Sequence, residues 1–170
     1  MLYLQLEQNP VPASRPRVTR WGVYYGKKYT EYRKDAPVTI EKAVGVAQAE
    51  GILPLNSTLL IAQIFEVEKP RTTKLEYPSP DVDNYIKALW DALQKHGVIV
   101  DDKKIIAPTA LKRWTTTTPK THVLIQTVTS QDMKPALTAP PQTLLHGMMM
   151  GMATALAVDI TSKRPEWLLK

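Results

Sequence analysis

Residues 80–105 read PDVDNYIKALWDALQKHGVIVDDKKI, and the fold turns on how this stretch is divided. Ile86, Leu89, Trp90 and Leu93 fall at i, i+3, i+4 and i+7. That spacing predicts an amphipathic helix over Asp83–His96 with one apolar face. His96 suits the last turn of such a helix, and Gly97 suits the left-handed residue that ends it. VIVDDKKII then holds a short apolar piece, an acidic turn and the start of a strand. Asp81 and Asp83 stand at the mouth of the helix, and Asp101 and Asp102 lie beyond its end. An antiparallel return after Gly97 would run back along the helix and bring the second pair towards the first.

The flanking chain supplies a sheet. Leu2, Leu4 and Leu6 alternate with Tyr3, Gln5 and Glu7, the period of a strand with one buried face. The prolines of NPVPASRPR break regular structure. WGVYYGKKYT reads as a short hairpin about Gly26. A helix fits Glu31–Glu50, with Tyr32, Ala36, Ile40, Ala43 and Ala47 near one face. Pro37 inside that window is expected in the helix's first turn. Thr58–Val67 reads as a central strand, and Glu68–Pro80, with three prolines, as a long exposed loop of the kind that is often functional. Ile105–Trp114 and His122–Val128 read as a closing pair of strands. The expected architecture is α+β: a mixed β-sheet flanked by helices over residues 1–130. Residues 131–170 are expected to form a linker, QDMKPALTAPPQ, and a C-terminal helical extension rich in Met and Ala over Thr143–Ile160.

Composition narrows the chemistry. The chain has 170 residues, with 22 Lys and Arg against 16 Asp and Glu, a formal net charge of +6. That balance points to a polyanionic partner such as nucleic acid. The absence of cysteine excludes disulfides, thiolate metal sites and a cysteine nucleophile. MLYLQLEQ lacks the basic start and apolar run of a signal peptide. No run is apolar enough to span a bilayer, so the expected location is cytoplasmic with no membrane partner. GKKYT lacks the upstream glycine of a P-loop, Ser14 and Ser79 have no histidine partner in view, and His96, His122 and His146 are too scattered for zinc.

Two readings of the aspartates stand side by side. An aspartate before a helix accepts backbone N–H bonds and suits the positive end of the dipole. Four carboxylates gathered together would instead repel, by about 4 kcal/mol for two charges about 4 Å apart at an effective dielectric of 20. Such a group needs a cation, a proton or a lysine, and hard oxygen ligands favour Mg²⁺ or Mn²⁺. Lys87, on the polar face, could pair with Asp83 or contact a phosphate. Spacing alone leaves capping and metal binding both open. Basic residues are concentrated at Arg15, Arg17, Arg20, Lys27, Lys28, Arg33 and Lys34, interleaved with Trp21, Tyr24, Tyr25 and Tyr29. Phosphate contacts are assigned to Arg15, Arg17, Lys27 and Lys28, and the tyrosines to the core. Lys69, Arg71 and Lys74 form a second basic group on the loop that feeds the acidic stretch.

The motif D-[apolar]-D-N-x-x-K-x-x-x-D-A-L, a glycine-bearing span and then D-D is carried here by Asp81, Asp83, Asn84, Lys87, Asp91, Ala92, Leu93, Gly97, Asp101 and Asp102. It resembles the RusA family of Holliday junction resolvases, many of them carried by phages and prophages, and the resemblance spans residues 3–128. It implies a homodimeric, Mg²⁺-dependent endonuclease, with Mn²⁺ as a substitute, acting on branched DNA. Such an enzyme resolves four-way junctions by paired symmetrical nicks in recombination and repair, leaving 5′-phosphate and 3′-hydroxyl ends. It carries essential carboxylate roles onto Asp81, Asp83 and Asp102, with Asp101 and Asp91 as lesser candidates, and an accessory role onto Lys87. Pro80 stands where the best-known member has arginine, and Lys104 where many relatives carry glutamine. The rival readings are a non-catalytic DNA-binding or regulatory protein on the same fold, and a Mg²⁺-dependent nuclease acting on flaps or RNA.

Overall fold

The structure is a computed structural model and describes residues 1–129, 131, 132, 134 and 138–143. Its core is a four-stranded sheet in the order β1-β6-β4-β5. These strands are β1 (Leu2–Leu6), β4 (Thr58–Glu68), β5 (Ile105–Thr115) and β6 (Lys120–Val128). β1 runs antiparallel to β6, with Leu4 opposite Val123. β4 runs parallel to β5, with Ile64 opposite Leu111. The sheet is therefore mixed and the fold α+β, as expected. β4 is central, also as expected. β5 and β6, however, do not pair with each other, because β4 lies between them. Residues 116–119 are too short to suggest this crossing, since a link of that length usually closes a hairpin.

Helix α1 spans Lys27–Ala49 and α2 spans Val82–Lys95. The expected start of α1 at Pro37 is corrected by ten residues. Proline inside a helix removes one hydrogen bond and crowds the carbonyl four residues back. Here the buried row Tyr29, Tyr32, Ala36, Ile40, Val44 and Ala47 runs through the proline, and burial of that row outweighs the local cost. The hairpin is corrected too. Its strands are β2 (Arg17–Thr19) and β3 (Gly22–Tyr24), and the chain turns at Arg20 and Trp21. Gly22, at φ 131°, takes the conformation the turn needs, while Gly26 is the N-cap of α1.

Leu4, Leu6, Ile40, Leu59, Ile61, Phe65, Leu89, Leu93, Val123 and Ile125 form one buried cluster. α2 contributes Tyr85, Ala88 and Ala92 to the interior besides Leu89 and Leu93, while Ile86 and Trp90 are only partly buried. Gly97, at φ 70°, ends α2, and the Val98 N–H donates to the Leu93 carbonyl at 2.9 Å. Val98 and Ile99 then plug into the core. Leu55 pairs with this return: its N–H donates to Val98 O at 2.9 Å, and Val100 N–H donates to Leu55 O at 3.1 Å. That anchoring sets where Asp101 and Asp102 emerge.

On the other face of the sheet, given by strand alternation, a polar chain crosses all four strands. The Tyr3 hydroxyl meets His122 Nδ1 at 2.7 Å, His122 Nε2 lies 3.4 Å from Glu66, and Arg113 Nε donates to Glu66 at 3.1 Å.

Contacts divide the chain into two units, residues 1–127 and 128–170. In the second, Thr129 donates to Asp132 through its N–H and its hydroxyl at 2.8 and 2.7 Å. Gln131, Asp132, Lys134 and Thr138, within the stretch read as a linker, have helical backbone, and the Thr129–Asp132 bonding caps the first turn. The expected helix over Thr143–Ile160 lies, beyond Thr143, outside the described residues. No helix among the described residues is long and apolar enough to cross a membrane.

Candidate active site

Asp81 is the N-cap residue of α2, in extended conformation (φ −60°, ψ 144°), yet its side chain makes no capping hydrogen bond. The cap is made by backbone alone, from Asn84 N–H to Asp81 O at 3.2 Å. Asp83 lies in the first turn of α2 and is exposed. Neither carboxylate has a cation within ion-pair distance among the described residues. The capping account of Asp81 thus has no side-chain bond behind it.

The second pair splits in role. Asp101 caps a 3₁₀ turn over Asp102–Lys104, accepting from Lys103 N–H at 3.0 Å. That bond, with the charges of Lys103 and Lys104 and a bond to Asp102, holds the Asp101 carboxyl below its usual range. Asp102 opens the turn, half-buried, on the side that acts electrostatically on Lys87. Lys104 reaches back to the Asn56 carbonyl at 2.8 Å, so its amine is already engaged.

Lys87 pairs with Asp91, at 3.0 Å, rather than with Asp83. A lysine one turn from each of two acids can close on only one of them. The hydrogen bond and charge of Asp91, followed by the charge of Asp102, raise its pKa and keep it a cation. Among the described residues, no three His, Asp or Glu side chains stand grouped so as to hold a metal ion as they lie. Asp81, Asp83 and Asp102 offer oxygen donors only, which suits Mg²⁺ or Mn²⁺ and not a softer metal.

The loop over 69–81 is tied to β5 along its length. Lys69 N–H donates to Thr115 O at 3.2 Å, Trp114 Nε1 donates to Leu75 O at 2.9 Å, and Lys112 Nζ donates to the Pro80 carbonyl. Lys112 also lies 5.8 Å from the Tyr77 ring centroid. Lys112 was missed in the sequence because a strand-borne lysine carries no sign of the loop it fastens. Lys69, Arg71 and Lys74 are exposed on this loop.

The other basic group surrounds the start of α1. Arg15 and Arg17 are exposed, and Lys27 and Lys28 open the helix into solvent. Two bonds seat the proline-rich segment: Ala13 N–H to Asn84 O at 2.8 Å, and Gly26 N–H to Ser14 Oγ at 3.1 Å. They fasten it to the first turn of α2 and the start of α1. Of the tyrosines assigned to the core, Tyr29 is buried and Tyr25 half-buried, but Tyr24 is 48% exposed, because it closes the short β2–β3 hairpin that stands out in solvent, as does Trp21 at 84%. A cleft of about 670 Å³ opens between α1, α2 and residues 13–16, and Lys87 and Asp91 stand in its wall.

A family model described as Endodeoxyribonuclease RusA matches residues 7–126. A search of curated proteins returns no match. The matched span takes in the whole four-carboxylate stretch, the lysine between its halves and most of the sheet that presents them, and the chain belongs to the RusA endodeoxyribonuclease family.

Proposed function

We propose that this protein is a divalent-metal-dependent endonuclease that resolves four-way DNA junctions, acting as a homodimer that places paired symmetrical nicks. The observation that carries this is the pair Asp81 and Asp83: two exposed carboxylates at the start of α2, used neither as side-chain caps nor in ion pairs among the described residues. Asp102 joins them as the third carboxylate, and Asp101 serves as the cap that holds Asp102's turn. A Mg²⁺ ion held by Asp81, Asp83 and Asp102 would supply Lewis acidity at the phosphate and a more acidic water. Lys87 stabilises negative charge on the phosphate oxygens, and Asp91 keeps its ammonium charged and aimed. The exposed cations Arg15, Arg17, Lys27, Lys28, Lys69, Arg71 and Lys74 meet DNA backbone, which positions the protein without reading sequence. The compartment proposed is the cytoplasm, and the role recombination and repair.

Incubation with a labelled four-way junction, a 5′ flap, a linear duplex and a structured RNA, with and without Mg²⁺ or Mn²⁺, tests this. Paired nicks in the junction that require the metal are expected. Tight junction binding with no nicking under either metal would favour a non-catalytic DNA-binding protein. Faster cutting of the flap or the RNA would assign a different nuclease.

A further inference from the structure

The cleft between α1 and α2 is not explained by the acid site alone. Ala13, Ala36, Ala88 and Ala92 are among its lining, and their small side chains leave the space between the two helices unfilled. A second hollow of about 400 Å³ shares Tyr25, Arg33 and Lys95 with the first and extends towards Val23 and Lys34. Together they make a groove that begins beside Lys87 and ends at the β2–β3 hairpin.

The walls are cationic. Arg15, Arg33, Lys87 and Lys95 line the first hollow and Lys34 the second. The one carboxylate lining either is Asp91, and it is bonded to Lys87. Arg15, Arg33 and Lys95 have no carboxylate within ion-pair distance among the described residues. Arg33 is also pre-set. Its guanidinium lies 5.0 Å from the Tyr25 centroid and 5.9 Å from that of Tyr29. Those two rings meet edge to face at 5.6 Å, and Tyr29 is fixed in turn against Tyr32. A planar cation on an aromatic shelf keeps its fork of donors outward and loses little freedom on meeting a phosphate.

We infer that this groove carries one DNA strand leading away from the scissile phosphate, with Arg15, Arg33 and Lys95 gripping successive phosphates. The inference rests on the nuclease reading and adds a binding track to it. A hollow of this size is in the range that encloses a small ligand, so it admits the nucleotides of one strand and not a duplex. Two adjoining hollows, with cations lining both, suit a chain of phosphates better than a single free anion. The groove also shares Lys87 with the acid site, so a strand lying in it continues to where cutting is proposed.

The test is binding, not cutting. A fluorescent four-way junction is titrated with the full chain in EDTA, across a range of salt. For Arg33→Gln/Lys95→Gln, affinity at moderate salt falls about tenfold or more. The slope of log K against log salt becomes shallower by about 1.4 to 1.8, since each lost phosphate contact removes about 0.7 to 0.9. Lys42→Gln/Lys120→Gln removes the same charge away from the groove and keeps nearly the wild-type slope. Arg33→Gln could loosen the aromatic shelf. Lys95→Glu alone is therefore a second variant: an exposed side chain in the last turn of α2, also expected to weaken binding about tenfold or more. Wild-type affinity and slope in the double variant, wild-type binding by Lys95→Glu, or an equal loss in the control pair would overturn the groove. Because no metal is present, these outcomes are independent of whether the protein cuts, which the metal-dependent assay decides separately.

Discussion

Asp101 and Asp102 are adjacent and chemically identical, and only local backbone separates them. Asp101 spends its carboxylate on the 3₁₀ turn, while Asp102 faces the field of Lys87. Asp101→Asn keeps a capping side chain and is expected to cut within about tenfold of wild type. Under the proposed function Asp102 is a metal ligand, so Asp102→Asn is expected to lose more than about 100-fold, at least as much as the 10–100-fold typical of a supporting shell. Rates on the junction under Mg²⁺ check both, and equal losses would remove the distinction. This was not legible in the sequence, because a short turn that bonds its own preceding side chain leaves no periodic signature. The lysine's partner was equally hidden: Asp83 and Asp91 are both one turn from Lys87. Asp91→Asn releases that amine, and a modest loss of about tenfold in cutting is expected, with junction binding little changed.

At the scale of elements, α2 was plain from the sequence. Its apolar residues recur at helical spacing, and a glycine with φ 70° marks its end. Leu89 is fully buried, so Leu89→Ala is expected to cost about 2–5 kcal/mol in chemical denaturation. Trp21→Ala, on the exposed hairpin, should stay within about 0.5 kcal/mol. α1 was half legible. Its buried row is legible from Tyr32 onward except that Val44 is buried where Ala43, only half-buried, was expected, and proline masks the first turns. With them went the alignment of Tyr29, Arg33 and Ala36 along one side of the helix, and so the groove. Pro37→Ala restores an N–H to the middle of α1. It is expected to stabilise by about 1–2 kcal/mol: a helical gain of up to about 3, less about 1 for a freer unfolded chain. A lower melting temperature for Pro37→Ala would mean the proline is needed where it stands.

At the scale of the molecule, strand positions in sequence predicted a mixed sheet but not its order. The crossing of β4 between β5 and β6 depends on which edges meet, and alternation within a strand does not encode that. The polar chain from Tyr3 through His122 and Glu66 to Arg113 fastens the resulting order across all four strands. Burial pushes the Glu66 carboxyl up, but the Arg113 bond and charge, with His122, outweigh it and leave it below its ordinary value. Burial likewise holds His122 below its ordinary 6.5, despite the opposing pull of Glu66. Both folded values are depressed, so in each case the unfolded chain binds protons first as pH falls. Stability is therefore expected to decline as pH drops below about 6.5 through the histidine, and again below about 4.5 through the carboxylate. Glu66→Gln should flatten the lower limb and cost about 1.5–3 kcal/mol near neutral pH, the range for hydrogen bonds to charged groups. Urea midpoints measured across pH check both limbs.

The central claim is that the start of α2 and the turn after it hold the catalytic metal between them. Crystals soaked in Mn²⁺ and measured for anomalous scattering test it most directly. The expected result is a peak bounded by Asp81, Asp83 and Asp102, absent in Asp83→Asn. A peak elsewhere, or none at a Mn²⁺ concentration that supports cutting in solution, would contradict it.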